Sequence, residues 1–100
     1  VKNLLENINK SFENRVRLGV MSILMVNESV DFNFLKEALD LTDGNLASHV
    51  SALEKAEYIE VRKSFVGKKP NTTYSATDAG RKAFTEHLEA LEALIRSNNR

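Results

Sequence analysis

The side chains best able to do chemistry lie in residues 41–58, LTDGNLASHVSALEKAEY. At roughly 100° per residue, Leu46, Val50 and Leu53 share one side of a helix, while Gly44, Ser48, Ser51, Ala52 and Lys55 project from the other. Hydroxyls on such a face donate and accept hydrogen bonds, and small side chains let a backbone come close to a partner. A face meant only for water is richer in Glu and Lys, so this one reads as made to lie against something. Thr42 supplies the helix start, because its hydroxyl accepts from one of the first free amides. His49 falls between the two faces. It either meets the external partner or packs half-buried against the preceding helix.

Charge is the second signal. Fourteen basic and fourteen acidic side chains cancel over the 100 residues, so total charge argues for no class of partner. The distribution is uneven: residues 62–82 hold six Lys or Arg against one Asp, giving +5, while residues 42–61 hold one Lys against four acids, giving −3. Arg62, Lys63, Lys68, Lys69, Arg81 and Lys82 fall in or beside a segment patterned as a hairpin. A solvated edge strand guarded by lysines is the plain reading. Beside a small-faced helix, phosphate contacts account for the concentration better. Asp43, Glu54, Glu57 and Glu60 pull toward a protein partner instead, although Glu54 is expected nearer the buried side and Asp43 at the helix start.

Catalytic and metal chemistry finds little support. There is no cysteine, hence no disulfide, thiolate site or cysteine nucleophile, which fits a reducing compartment. His49 and His87 are far apart and lack ligand spacing, so no metal is expected. Asp31, Asp40 and Asp43 scatter around turns and caps without forming an acid and base pair. Gly44, Gly67 and Gly80 have neither the spacing nor the context of a phosphate-binding loop, and no cofactor is expected. The longest apolar run, residues 18–26, falls short of the roughly 20 residues that span a bilayer, and no signal peptide pattern is present. Because the chain opens at Val1, an initiating Met or short leader is expected ahead of it.

The elements that must position these groups follow from periodicity. With 42% apolar and 28% charged residues, one domain over residues 1–100 with a modest core is expected. Residues 1–12 place Leu5, Ile8 and Phe12 at helical spacing, with Leu4 beside them. Residues 13–26 are apolar nearly all round and predict a central core helix. Val30 to Phe34 alternate as a very short strand leading into a helix over residues 33–39 that turns Phe34, Leu35, Ala38 and Leu39 inward. A short break then reaches the helix after Thr42, giving a helix-turn-helix outline. The period changes to two at Ile59, a turn is expected over residues 67–71, and residues 72–76 return as a second strand, with Tyr74 packed under the hairpin. Thr77 caps a last helix to about Arg96, on which Phe84, Leu88, Leu91 and Ile95 form a coiled-coil-like seam with His87 and Leu94 alongside. Residues 97–100 are expected to fray. Apolar stripes at both termini exceed what one small core absorbs and predict a homodimer.

These residues resemble a family. The run LTDGNLASHVSALEKAEYIEVRKSFVGKKPNTTYSATDAGRKAF is similar to the winged helix-turn-helix domains of bacterial transcription regulators of the MarR and ArsR type, over about residues 34–84. Its marks are L-T-D-G-N-L-x-x-H, a basic hairpin ending in P-x-T-x-Y, and T-x-x-G-R opening the last helix. The resemblance implies an α+β fold, mainly helical with a small β-hairpin: a winged helix core over residues 13–84 with terminal helices, 1–12 and 77–96, in dimerisation. It implies a cytoplasmic, non-enzymatic, sequence-specific regulator of double-stranded DNA. A recognition helix over about residues 43–56 would enter the major groove, and a basic wing over residues 62–74 would touch the backbone or minor groove.

The implied DNA-facing residues are Thr42, Gly44, Asn45, Ser48, His49, Ser51, Lys55, Arg62, Lys63, Lys68, Lys69 and Thr72. The expected dimer residues are Leu5, Ile8, Phe12, Phe84, Leu88, Leu91 and Ile95. A cavity at that interface could bind a small-molecule effector, whose chemistry the sequence does not specify. A winged-helix module that binds protein rather than DNA is the alternative, since the same fold serves both. One departure stands out: the family carries Gly where Glu57 precedes Tyr58, so a left-handed helix end there would strain Glu57.

Overall fold

The computed structural model describes residues 5–97. Residues 5–9 form turns and lead into a 3-10 turn, Lys10–Phe12. Then come α1 (Arg15–Met25), β1 (Val30–Asp31), α2 (Phe32–Ala38), α3 (Asp43–Lys55), β2 (Ile59–Val66), β3 (Lys69–Ala76) and α4 (Asp78–Ser97). The fold is the expected α+β winged helix, with one addition. β1 pairs with β3 (Val30 opposite Tyr74, Asp31 opposite Thr73), so the hairpin belongs to a three-stranded antiparallel sheet of order β1-β3-β2.

Polar caps decide where the helices begin. Asn14 Oδ1 accepts from the Val16 and Arg17 amides, Asp31 Oδ1 from Phe34, Thr42 Oγ1 from Asn45, and Thr77 Oγ1 from Gly80. The expected N-terminal helix is the main correction. Asn9 Oδ1 accepts from the Ser11 amide at 2.8 Å, turning the chain into a 3-10 bend, and Asn14 then restarts it as α1. Two side chains that bind nearby backbone thus interrupt a stripe that fits a helix by spacing alone. Residues 1–4, with Leu4, and residues 98–100 lie outside the described residues.

The core is formed by Val16, Val20, Met21 and Leu24 of α1, Leu35 of α2, Leu46, Val50 and Leu53 of α3, Ile59 and Tyr74 of the sheet, and Phe12 and Phe84. α1 is its centre, as its nearly continuous apolar surface predicts. On α2 the inward face is narrower than expected. Leu35 is buried and Leu39 half-buried, but Phe34 and Ala38 are exposed.

Phe12 and Phe84, expected at a dimer interface, pack inside the subunit with rings 5.2 Å apart and edge to face. His87 joins them, 5.3 Å from Phe12, and its Nδ1 accepts from the Asn9 amide at 3.1 Å. All three therefore serve this chain's own core. Burial lowers the His87 pKa, against a smaller upward pull from Glu13, so the ring is neutral and acts as an acceptor.

Two helix ends carry left-handed residues that are not Gly. At the end of α3 the Tyr58 amide donates to Leu53 O and the Glu57 amide to Glu54 O, with Glu57 at φ 65°. At the end of α2 the Leu41 amide donates to Lys36 O and the Asp40 amide to Glu37 O, with Asp40 at φ 52°. Both are Schellman endings, which favour Gly at that position.

Candidate nucleic-acid interface

α3 turns three apolar side chains into the core, which leaves the opposite face for solvent. Gly44, Ala47, Ser48, Ser51 and Lys55 form a continuous exposed stripe with Asn45 beside it. A Cβ added at Gly44 would meet nothing within 4 Å among the described residues, so that point is open. Ala47 belongs to this stripe and is missing from the sequence-derived set. At roughly 100° per residue it lies about 40° beyond Ser51, on one flank of the stripe. Ala52, expected outside, is half-buried. Thr42 is exposed, but its hydroxyl caps α3, accepting from Asn45 N–H at 3.2 Å.

His49 leaves the stripe. It is half-buried, and its Nδ1 accepts from Arg17 Nε at 3.2 Å, so it packs toward α1 rather than α2. Burial and then the Arg17 cation lower its pKa, which keeps it neutral. Asp43 is answered by Lys36 Nζ at 2.8 Å across the turn between α2 and α3. That pairing raises the Lys36 pKa and offsets one of the four acidic charges near the helix.

The hairpin has two faces, and its strand register sorts the cations between them. Val61 with Tyr74, and Lys63 with Thr72, line a groove against Ala47, Val50, Ser51 and Glu54 of α3. Arg62, opposite Thr73, lies on the other face near Glu28 and Ser29, with Glu60 Oε1 3.5 Å from its guanidinium. Lys63 and Thr72 thus share the side of α3 and Arg62 does not. Glu54, expected nearer the core, is exposed at the groove. Tyr74 packs under the hairpin as expected, with its ring 6.4 Å from Phe32, and burial and then Glu54 raise its pKa.

The turn is tighter than the sequence predicts. Val66 opposes Lys69, leaving a two-residue loop of Gly67 and Lys68, while Lys69, Pro70 and Asn71 already belong to β3. Gly67 has φ 65°, as the first position of a type II′ hairpin turn requires. Lys68 and Lys69 are exposed at the tip.

Arg81 is not part of this surface. Its guanidinium donates to Met25 O (3.2 Å) and Leu24 O (3.3 Å), capping the end of α1 from the first turn of α4. Lys82 is exposed on α4.

The remaining apolar candidates lie on α4 and the N-terminal segment. Leu88, Ile95 and Leu5 are 46%, 71% and 63% exposed, and Leu91 and Ile8 are half-buried. No residue of α4 after His87 is buried, so about half of this helix runs beyond the core.

A small-faced helix after a tight turn, followed by a cationic hairpin, defines a winged helix-turn-helix domain. Among the described residues no helix is long and apolar enough to cross a membrane, and no cluster of His, Asp or Glu is placed to hold a metal. Comparison with known proteins makes the assignment specific. The chain belongs to the winged helix DNA-binding domain family, whose model matches residues 16–95.

An uncharacterized protein of Methanocaldococcus jannaschii, MJ0432, is 38% identical over 79 residues, covering 79% of this chain and 86% of its own. The solved structure of a transcriptional regulator homologue protein from Pyrococcus horikoshii OT3 superposes with a TM-score of 0.85 at 30% identity, over 97% of this chain and 94% of that one. A MarR family transcriptional regulator from Rhodococcus sp. RHA1 shares the fold, with a TM-score of 0.67 at 18% identity, over 90% of this chain and 66% of that one. The family is one of DNA-binding regulators rather than enzymes.

Proposed function

We propose that this chain is a homodimeric, sequence-specific DNA-binding transcriptional regulator. α3 lies in the major groove and the β2-β3 hairpin reaches the flanking backbone or minor groove. The observation that carries this reading is the exposed stripe of Gly44, Ala47, Ser48 and Ser51, next to a hairpin whose residues 62–76 hold four cations and no carboxylate. Asn45, Ser48 and Ser51 have the donors and acceptors that base edges require. Lys63, Lys68 and Lys69 supply the salt-dependent part of the affinity.

The second subunit docks through α4, where Leu88, Leu91 and Ile95 line one side with Leu5 and Ile8 near the N-terminus. Burying such side chains stabilises the pair by about 1.5–3 kcal/mol each. Pairing two recognition helices also matches the two-fold arrangement of half-sites on DNA. Sedimentation at micromolar concentration should give a dimer; a monomer would reject this part of the reading.

The direct test is a fluorescence-anisotropy titration with mixed-sequence duplex across a salt series. Binding that weakens steeply with salt supports the reading and justifies selecting a preferred site from a random library. Absence of binding at low salt, with capture of a defined protein partner, would favour the interaction module, to which Glu54, Glu57 and Glu60 on the exposed surface lend some support.

A further inference from the structure

Two exposed apolar side chains at the wing tip serve no purpose in this chain's own packing. Phe65 is 72% and Val66 66% exposed. Phe65 lies opposite Pro70 in the strand register, on the same face as Lys63, Thr72 and the groove against α3. β1 reaches only as far as Thr73, so beyond that point the hairpin is a two-stranded ribbon. Residues 62–76 carry Arg62, Lys63, Lys68 and Lys69 and no Asp or Glu. Among the described residues no carboxylate lies within ion-pair distance of Lys63, Lys68 or Lys69.

This chemistry selects the partner. The cores of protein interfaces are depleted in Lys, and two such tips repel each other. A polyanion with an apolar recess fits instead, and the minor groove offers one between its sugar walls. Phe65 is four residues beyond Val61, which abuts α3, and so projects about 14 Å further along the ribbon. From a helix in the major groove, the adjacent minor groove lies half a turn away, about 17 Å along the axis.

We infer that Phe65 is an apolar wedge that enters the minor groove flanking the bases faced by α3, leans between base pairs and bends the duplex. The inference rests on the DNA-binding reading and adds a specificity determinant to it. Wedges of this kind partly unstack a base step, and pyrimidine–purine steps yield most easily. The preferred site therefore carries a TA or CA step roughly five base pairs, half a helical turn, from the bases read by α3. Lys68 and Lys69 hold the phosphates on either side of the wedge.

The test uses the full chain and a duplex of about 30 base pairs, selected by the wild type from a random library and labelled at both ends for energy transfer. The wild type should shorten the end-to-end distance. Phe65→Ala should abolish the shortening and weaken binding about tenfold or more while leaving the salt slope unchanged, since no charge is removed. Phe65→Leu should keep most of the bend.

A wild type that does not bend the duplex, or a Phe65→Ala protein that bends it equally, overturns the wedge while leaving the DNA-binding reading intact. Failure of the wild type to select any duplex overturns both. Binding of the wild type to phosphatidylserine vesicles that is lost in Phe65→Ala, with unaltered duplex binding, assigns the tip to a membrane surface and also overturns the wedge. Because Phe65 is mostly exposed, an unchanged circular dichroism spectrum is expected for both variants.

Discussion

Replacing Lys68 and Lys69 together by Ala tests the wing in the most quantitative way. Both ammonium groups are exposed at the hairpin tip and, among the described residues, neither is in an ion pair, so their removal costs the fold little. Each Lys that neutralises a phosphate contributes about −0.9 to the slope of log K against log salt. One wing on the DNA therefore predicts a slope shallower by about 1.8 in the double variant, and two wings of a dimer a slope shallower by about 3.6. Between about 50 and 200 mM salt, log salt changes by about 0.6, so four such charges account for a roughly 150-fold loss of wild-type affinity. The variant should bind more weakly at low salt and lack that part of the decline. Anisotropy titrations of both proteins at four or five salt concentrations measure the two slopes directly. A difference near 2 assigns one wing to the complex, a difference near 4 assigns two, and identical slopes would refute phosphate contact by the tip.

Asn45→Ala or Ser48→Ala should relax sequence preference at single positions by about 1–3 kcal/mol while leaving the salt slope in place; a uniform loss across all duplexes would remove these side chains from base readout. Glu57→Gly should raise stability by about 1 kcal/mol, because Glu57 sits at φ 65°. A lower urea midpoint would show that the Glu57 side chain contributes more than the left-handed geometry costs. Gly80→Ala should destabilise by on the order of 3 kcal/mol, since the added Cβ would lie against Tyr58 O well inside contact distance. An unchanged midpoint would mean that α4 shifts freely there.

Acidification acts through the histidines. His87 and His49 both have pKa values lowered from 6.5, so the unfolded chain binds their protons more tightly. The stability they provide is complete above that value and is lost as pH falls through the folded values. The urea midpoint should drop between about pH 7 and pH 5, with part of the drop absent in His87→Phe; an equal drop in that variant would free His87 from the effect.

The elements that bear the site were readable because their signals are local. Thr42 and Thr77 are caps whose oxygens bind the next helix's amides, and the alternation after Ile59 separates Lys63 from Arg62 by face. What spacing could not supply was the identity of the partner on the far side of a stripe. Phe84 and Leu88 share one seam by periodicity, yet Phe84 meets Phe12 within the subunit and Leu88 faces outward. Arg81 is only five residues past the end of β3, but one helical turn aims it at the carbonyls ending α1. Phe12 fits a helical stripe with Leu5 and Ile8, and the Asn9 and Asn14 side chains break that helix.

One junction joins the two ends of the proposed function. The Thr77 amide donates to Tyr58 O at 3.0 Å, its hydroxyl donates to Glu57 O at 2.7 Å, and the same oxygen accepts from Gly80 N–H at 2.9 Å. The start of α4 is thereby stitched to the left-handed residue that ends α3, and Gly80 permits the close approach by lacking a Cβ. Asn9 reaches the same place, with Nδ2 donating to Tyr58 Oη at 3.1 Å and its amide to His87 Nδ1. In a dimer built on α4, a change in the crossing of the two α4 helices is passed to each α3 through these short bonds rather than through a pliable loop. The spacing of the two DNA-facing stripes is then set at the dimer contact. Substitutions at Thr77 should consequently alter DNA affinity more than their distance from the α3 stripe suggests: Thr77→Val, which keeps the shape and the amide bond to Tyr58 O but removes both hydrogen bonds of the hydroxyl, should weaken duplex binding without changing the dimer's sedimentation, whereas equal affinity would show that α3 is oriented without this link.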